Sequence, residues 1–318
     1  MASLKSALAC IGLLYSVKIS YHLVDLLWVY FIRPTSISRY LSTDPSHPSW
    51  ALVTGSTDGI GLGFSHELCS RGFNVLLHGR NPEKLARVQA DLLQKFPGRS
   101  IETVVADAAA YDAAGLRSVV EKASSLPDGG RLRVLVNNVG GAFQLIGKGV
   151  FGLLSEMTVE DVDTFINVNA RFPAVLTTAL VPVLTAESNA PTLVMNIGSM
   201  ANYGLPYSVV YSATKSFNLT FSAAFGREMK SRGHDVEVLG FVVGTTDTVG
   251  APAEKQGNMA VMTPRGLAKA CLDRSGCGRW ILPPSFKHWI PMKINESVPE
   301  SLIVNQVEKL WTEDRKGN

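Results

Sequence analysis

The stretch that most limits what this chain can become starts at Trp50. Trp50-Ala51-Leu52-Val53-Thr54 is a short apolar run; Gly55-Ser56-Thr57-Asp58-Gly59-Ile60-Gly61 follows, then helix-forming sequence from Leu62 to Ser70. A buried strand that ends in a glycine turn and runs directly into a helix belongs in a parallel α/β layer. The glycines let the backbone turn tightly and approach a ligand, and a helix start offers unpaired N–H groups and a positive dipole end to an anion. With a pyrophosphate as that anion, this is a dinucleotide-binding arrangement, in which Gly55, Ser56, Gly59, Ile60 and Gly61 would face the cofactor. The spacing is Gly-x3-Gly-x-Gly, and alone it reads equally well as a structural turn.

The alternation continues. Strand-like runs at Asn74–His78, Ile101–Ala106, Arg133–Val136, Leu193–Ile197, Val236–Val243 and Arg279–Leu282 are separated by helical patterns, among them Pro82–Lys95, Asp112–Ser125 and Val209–Lys230. The runs are rich in Val, Leu and Ile, as strands covered on both faces are. The expected fold is α/β: a doubly wound parallel sheet of about seven strands, with ligands at the carboxyl ends of the strands. Asp107, Asn137-Asn138-Val139-Gly140 and Gly198-Ser199 all fall at such ends. The second strand ends in His78-Gly79-Arg80-Asn81, without the carboxylate that would hold an unphosphorylated ribose. Arg80 would pair with a 2′-phosphate, which favours NADP(H) over NAD(H); otherwise it is a solvated strand-end residue.

Tyr211 and Lys215 stand one helical turn apart in Tyr211-Ser212-Ala213-Thr214-Lys215, with Ser199 twelve residues before the tyrosine. A phenol titrates near pH ~10, and an adjacent ammonium favours its anion, bringing it into range for acid–base work. The pair alone is common on helices and gains weight from its company.

Taken together, Thr54-Gly55-x3-Gly59-x-Gly61, Asp107, Asn137-Asn138-Val139-Gly140, Asn169, Ser199 and Tyr211-x3-Lys215 resemble the short-chain dehydrogenase/reductase family, over about residues 48–285. Within it they are similar to the membrane-associated branch of very-long-chain 3-oxoacyl-CoA reductases and 17-beta-hydroxysteroid dehydrogenases. The resemblance implies a Rossmann fold and NADPH-dependent reduction of a ketone on a lipophilic substrate. It implies Tyr211 as proton donor, Lys215 as the charge that lowers the phenol pKa and holds the nicotinamide ribose, and Ser199 as a hydrogen bond to the carbonyl oxygen. Asn169, rather than its neighbour Asn167, would fix a relay water; Asn137 and Gly140 would border the adenosine ribose and Asp107 the adenine. Thr245, or Thr246 beside it, would contact the cofactor. Gly240 stands where the family usually has a proline. The alternative function is a non-catalytic NADP(H)-binding sensor or scaffold of the same fold.

Ahead of this domain, Ala7–Ile32 is mostly apolar, with Lys18, His22 and Asp25 spaced to form one polar stripe on a helix. It reads as a membrane anchor, as an amphipathic helix packed on protein, or as a signal peptide lacking a small-residue cleavage site. The resemblance favours the anchor, and Arg33 and Arg39 after it would keep the domain on the cytosolic side, at the endoplasmic reticulum. Residues 1–48 are then anchor and linker, and 49–318 a single catalytic domain. The four cysteines have neither metal-ligand nor disulfide-framework spacing, and net charge +3 is too weak for nucleic acid. A homodimer is expected by analogy, Thr248–Met262 is expected to close over the substrate, and Pro283–Pro299 is an apolar extension.

Overall fold

The computed structural model describes residues 2–110, 113–147, 151–187, 190–248 and 261–317. They form two compact units, Met1–Thr35 and Ser36–Asn318.

The first unit is α1 (Ala2–Leu27), continued by a π-helical turn at Trp28–Ile32. From Leu4 to Ile32 it is long and apolar enough to cross a membrane, with mean hydropathy 1.5. Because the helix runs unbroken through Lys18, His22 and Asp25, those three share one face.

The second unit is built on β1 (Ser49–Thr54), α2 (Gly59–Ser70), β2 (Asn74–Gly79), α3 (Pro82–Lys95), β3 (Ile101–Val105), α4 (Ala113–Ser124) and β4 (Arg131–Asn137). There follow α5 (Val159–Ile166), a π-helical turn (Asn167–Arg171), α6 (Phe172–Leu184), β5 (Thr192–Ile197), α7 (Val209–Ser231), β6 (Val236–Phe241), α8 (Pro264–Asp273) and β7 (Ile281–Leu282). Two further helices, α9 (Phe286–Ser297) and α10 (Glu300–Gly317), close the chain. The strands form one sheet in the order β3-β2-β1-β4-β5-β6-β7, every neighbouring pair parallel. This is the doubly wound sheet the sequence predicts. Chain direction across the sheet reverses between β1 and β4, so a crevice opens at the carboxyl ends of those strands.

Local chemistry sets the helix starts. Asn81 accepts a hydrogen bond from the Lys84 N–H at 2.8 Å with Pro82 next to it, and Thr263 accepts from the Gly266 N–H at 3.1 Å ahead of Pro264. The core joins Trp50, Leu52, Leu76, Leu135 and Val194 of the sheet to Phe172, Leu176 and Leu180 of α6.

Two stretches differ from expectation. The proline-flanked residues after Arg33 read as linker, yet Ile37 and Tyr40 in a 3-10 turn (Ile37–Tyr40) are buried in the second unit. Arg39 grips the Asp235 carboxylate at 2.8 Å, and the Tyr40 hydroxyl donates to Glu237. The apolar extension at 283–299 is α9, and beyond it residues 300–317 form a helix that no motif announces. Gly240, in place of the family's proline, has a local reason: its N–H donates to the Trp280 carbonyl at 2.8 Å, a bond proline cannot make.

Candidate active site

A cavity of about 710 Å³ opens at the carboxyl edge of the sheet. One end is lined by the glycine turn, Arg80 and the loop after β4; the middle by Ser199, Tyr211 and Lys215; the rest by Thr245, Thr246 and side chains of α9 and α10.

At the first end, Gly55 and Gly59 have φ of +63° and +50°, backbone that side chains with a Cβ rarely adopt. A Cβ on Gly61 would lie 2.1 Å from the Gly55 carbonyl oxygen, so only glycine lets α2 start so close to the turn. The cradle is therefore backbone, at a helix N-terminus, and a dinucleotide pyrophosphate fits it. Arg80 is exposed at the end of β2 and lines the same end.

Three predicted cofactor residues lie elsewhere. Ser56 is fully buried, and its N–H and O–H both donate to the His78 carbonyl, at 3.0 and 3.1 Å. Asp107 is exposed, outside the cavity wall, accepting from the Ala109 N–H at 2.9 Å. Asn137 is buried, donating to Thr177 Oγ1 at 2.8 Å and Asn196 Oδ1 at 2.7 Å. Its neighbour Asn138 lines the cavity instead, its Nδ2 donating to the carbonyls of Thr54 at 3.0 Å and Gly55 at 3.3 Å. Alternation explains the exchange: the last strand residue points into the sheet's packing, and the first loop residue turns to the crevice.

In the middle, Ser199 begins the 3-10 turn Met200–Tyr203, its Oγ accepting from the Ala201 N–H at 3.1 Å. Burial pushes the Tyr211 phenol above its ordinary value, and interaction with the Ser199 side chain opposes this only in part. The expectation was a lowered phenol. The difference arises because the ring is packed in protein while the Lys215 ammonium, 5.6 Å from the ring centroid, is engaged elsewhere. Lys215 donates to the Ile197 carbonyl at 2.9 Å, and burial brings its own pKa down to about 8. Gly140 is wedged in the same place: a Cβ there would meet Asn169 Oδ1 at 2.7 Å and Lys215 Nζ at 3.1 Å.

Asn169 sits fully buried in the π-helical turn, a local form often found at functional sites. Its amide pairs with the Gly141 backbone in both directions, at 2.9 Å each way, and its carbonyl accepts from Asn218 Nδ2 at 2.7 Å. Asn167 instead donates to the Ala109 carbonyl at 3.2 Å.

On the far side, Thr245 and Thr246 both line the cavity. His288 of α9, fully buried, holds this loop: its Nδ1 accepts from the Gly244 N–H at 3.2 Å, and its Nε2 lies 3.3 Å from the Thr245 carbonyl oxygen. Both bonds are satisfied by a neutral imidazole protonated on Nε2. Of the expected covering loop, residues 249–260, Met259 included, lie outside the described residues. Its flanks are placed, with Thr248 in the cavity wall and Met262 bridged to Thr246. Tyr203, Asn295, Ile303, Val307 and Leu310 complete the wall, none of them singled out from sequence. The i, i+4, i+7 spacing of Ile303, Val307 and Leu310 was the available signal. All four cysteines are free, and burial pushes the Cys69 thiol up to about 12.

Residues 49–258 match the family described as short chain dehydrogenase. The chain belongs to the short-chain dehydrogenase family. As a member it is an oxidoreductase acting on carbonyl and alcohol groups with a nicotinamide cofactor. It is 34% identical over 281 residues to a very-long-chain 3-oxoacyl-CoA reductase of Coprinopsis cinerea, covering 85% of this chain and 76% of that one. It is 32% identical over 253 residues to the enzyme of that name from Mycosarcoma maydis, covering 78% and 68%. Among solved structures, a 7beta-hydroxysteroid dehydrogenase superposes with TM-score 0.68 at 19% identity, over 82% of this chain and 97% of that one. A short-chain dehydrogenase from Sphingobium yanoikuyae in complex with NADPH gives 0.63 at 22%, over 79% and 97%. At those identities the structures speak for the dehydrogenase fold.

Proposed function

We propose that this dehydrogenase uses NADPH to reduce a ketone on a lipophilic substrate to the alcohol. The candidates are a 3-oxoacyl-CoA, a ketosteroid or the ketone of a specialised pathway; the names of the sequence relatives favour the first. The observation that carries the reading is that one cavity gathers Ser199, Tyr211 and Lys215 with the glycine cradle and Arg80.

The reduced nicotinamide, when bound, supplies hydride to the carbonyl carbon. The chain's own groups handle the oxygen. Ser199 and the Tyr211 hydroxyl hold the carbonyl oxygen between them, and Tyr211 passes its proton to that oxygen as negative charge develops there. A phenol kept above its ordinary value arrives protonated, as a proton donor must. Lys215 brings positive charge to the phenolate that remains, and Gly140 leaves room for its ammonium. Arg80, which lines the cavity with no partner among the described residues, would pair with the 2′-phosphate that distinguishes NADPH. Leu145, Phe151, Val307 and Leu310 give the remaining wall an apolar character suited to a lipophilic substrate.

In this reading α1 anchors the protein in the endoplasmic reticulum membrane, with the catalytic domain on the cytosolic side, and that domain begins before the docked turn at Ile37–Tyr40. The test is NADPH consumption over 3-oxoacyl-CoAs of increasing chain length and a set of ketosteroids. Turnover on at least one is expected. Tight NADPH binding with turnover on none would replace the enzyme with a cofactor-binding sensor.

A further inference from the structure

Beyond the catalytic centre the cavity wall still carries polar side chains, among them Ser208, Gln306 and the pair Tyr203 and Asn295. Among the described lining residues the charged ones are Asp58, Arg80 and Lys215, all at the cofactor end or at the catalytic helix. The wall beyond Ser199 is uncharged and mostly apolar, yet it includes Tyr203 and Asn295 in contact with each other. Asn295 Nδ2 donates to the Tyr203 hydroxyl oxygen at 2.9 Å. That bond uses one lone pair of the phenol oxygen and leaves its O–H to donate, while Asn295 Oδ1 stays available to accept. Among the described residues neither group has another partner. Partial burial raises the Tyr203 pKa, so the phenol stays a donor. The pair faces solvent, with Tyr203 46% exposed, and a donor beside an acceptor there is complementary to a hydroxyl group, which can take the place of water.

The pair is held in place. Asn295 lies seven residues, two turns, after His288 on α9, hence on the same face. The fully buried His288 fixes that face to the Gly244–Thr245 loop. Tyr203 ends the 3-10 turn that Ser199 begins. At ~2 Å rise per residue its backbone stands about 8 Å past Ser199, several bonds from the reacting carbonyl.

We propose that Tyr203 and Asn295 form a second polar subsite that selects ketones carrying a neutral hydroxyl remote from the reacting carbonyl. This rests on the reductase reading above. The test pairs ω-hydroxyalkan-2-ones of increasing length with the matching alkan-2-ones, using the full chain, NADPH, and the variants Tyr203→Phe and Asn295→Ala. Wild type is expected to favour one hydroxyketone length by roughly tenfold in kcat/KM over its plain partner. In either variant that preference should fall to about twofold or less, with the plain ketone rate and NADPH affinity unchanged. A wild type that reduces plain ketones but shows no hydroxyl preference at any length overturns the subsite and leaves the reductase standing. So does a parallel loss on both substrates in the variants, which would mark the pair as structural. A wild type that reduces neither series removes the reductase reading for such ketones, and the subsite with it.

Discussion

The ammonium of Lys215 donates a 2.9 Å hydrogen bond to the carbonyl oxygen of Ile197, the last residue of β5. That bond ties the catalytic helix to the sheet edge, and burial of the ammonium there brings its pKa down from 10.5 to about 8. Between those values the unfolded chain holds a proton that the folded chain has lost, so stability contributed by this group rises with pH across the window. Below about 8 both states are charged and the burial penalty is complete. The total is roughly 3 kcal/mol. Raising the pH from 7.5 to 10 should therefore shift Tm more favourably in wild type than in Lys215→Met, read by thermal denaturation of the two proteins side by side. The reduction rate should fall as pH passes about 8 in the wild type, because the charge beside Tyr211 is lost.

Gly140→Ala places a Cβ against Asn169 Oδ1 and Lys215 Nζ. At 2.7 Å Asn169 itself must shift, against its burial and its two bonds to Gly141, and at 3.1 Å the Lys215 ammonium must give by a few tenths of an ångström. Loss of kcat by roughly a hundredfold is expected, with the larger share in the chemical step, measured by single-turnover reduction.

Arg80→Ala should raise the KM for NADPH by roughly thirtyfold and leave that for NADH within about twofold, since a charge-assisted phosphate contact is worth about 2 kcal/mol. Steady-state kinetics with both cofactors decides it. Equal effects on the two would return Arg80 to the role of a solvated strand-end residue.

Tyr40→Ala tests whether the stretch after the apolar helix belongs to the catalytic unit. Tyr40 is 1% exposed, and its hydroxyl meets Glu237, which also accepts from the Gly276 N–H at 2.7 Å. Removing the ring should cost about 3–5 kcal/mol. Chemical denaturation of the full chain in detergent measures it, and a change below about 1 kcal/mol would mark the segment as a linker after all.

The sheet was legible in the sequence because each strand is an apolar run with a turn residue at its end, and Pro82 and Thr263-Pro264 mark helix starts with fixed chemistry. The gathering of Ser199, Tyr211 and Lys215 was legible because Ser199 stands just past the end of β5, while Tyr211 and Lys215 share one face at the start of α7, the helix that follows. Asn137 and Ser56 were misplaced because residue type does not say which way a side chain turns where a strand passes into a loop. There one position decides between packing and crevice. The α10 wall depends on where a helix folds back after α9, which no local pattern encodes. No local pattern marks His288 either, because its partners, Gly244 and Thr245, are 44 and 43 residues away in sequence.

In the proposed reaction Tyr211 gives the proton to the carbonyl oxygen. The most direct test of that role is the single-turnover rate of NADPH oxidation with a reducible ketone in Tyr211→Phe, with NADPH affinity measured on the same protein. A fall of about a thousandfold in rate is expected, with cofactor affinity within about threefold of wild type. A rate equal to wild type would contradict that role.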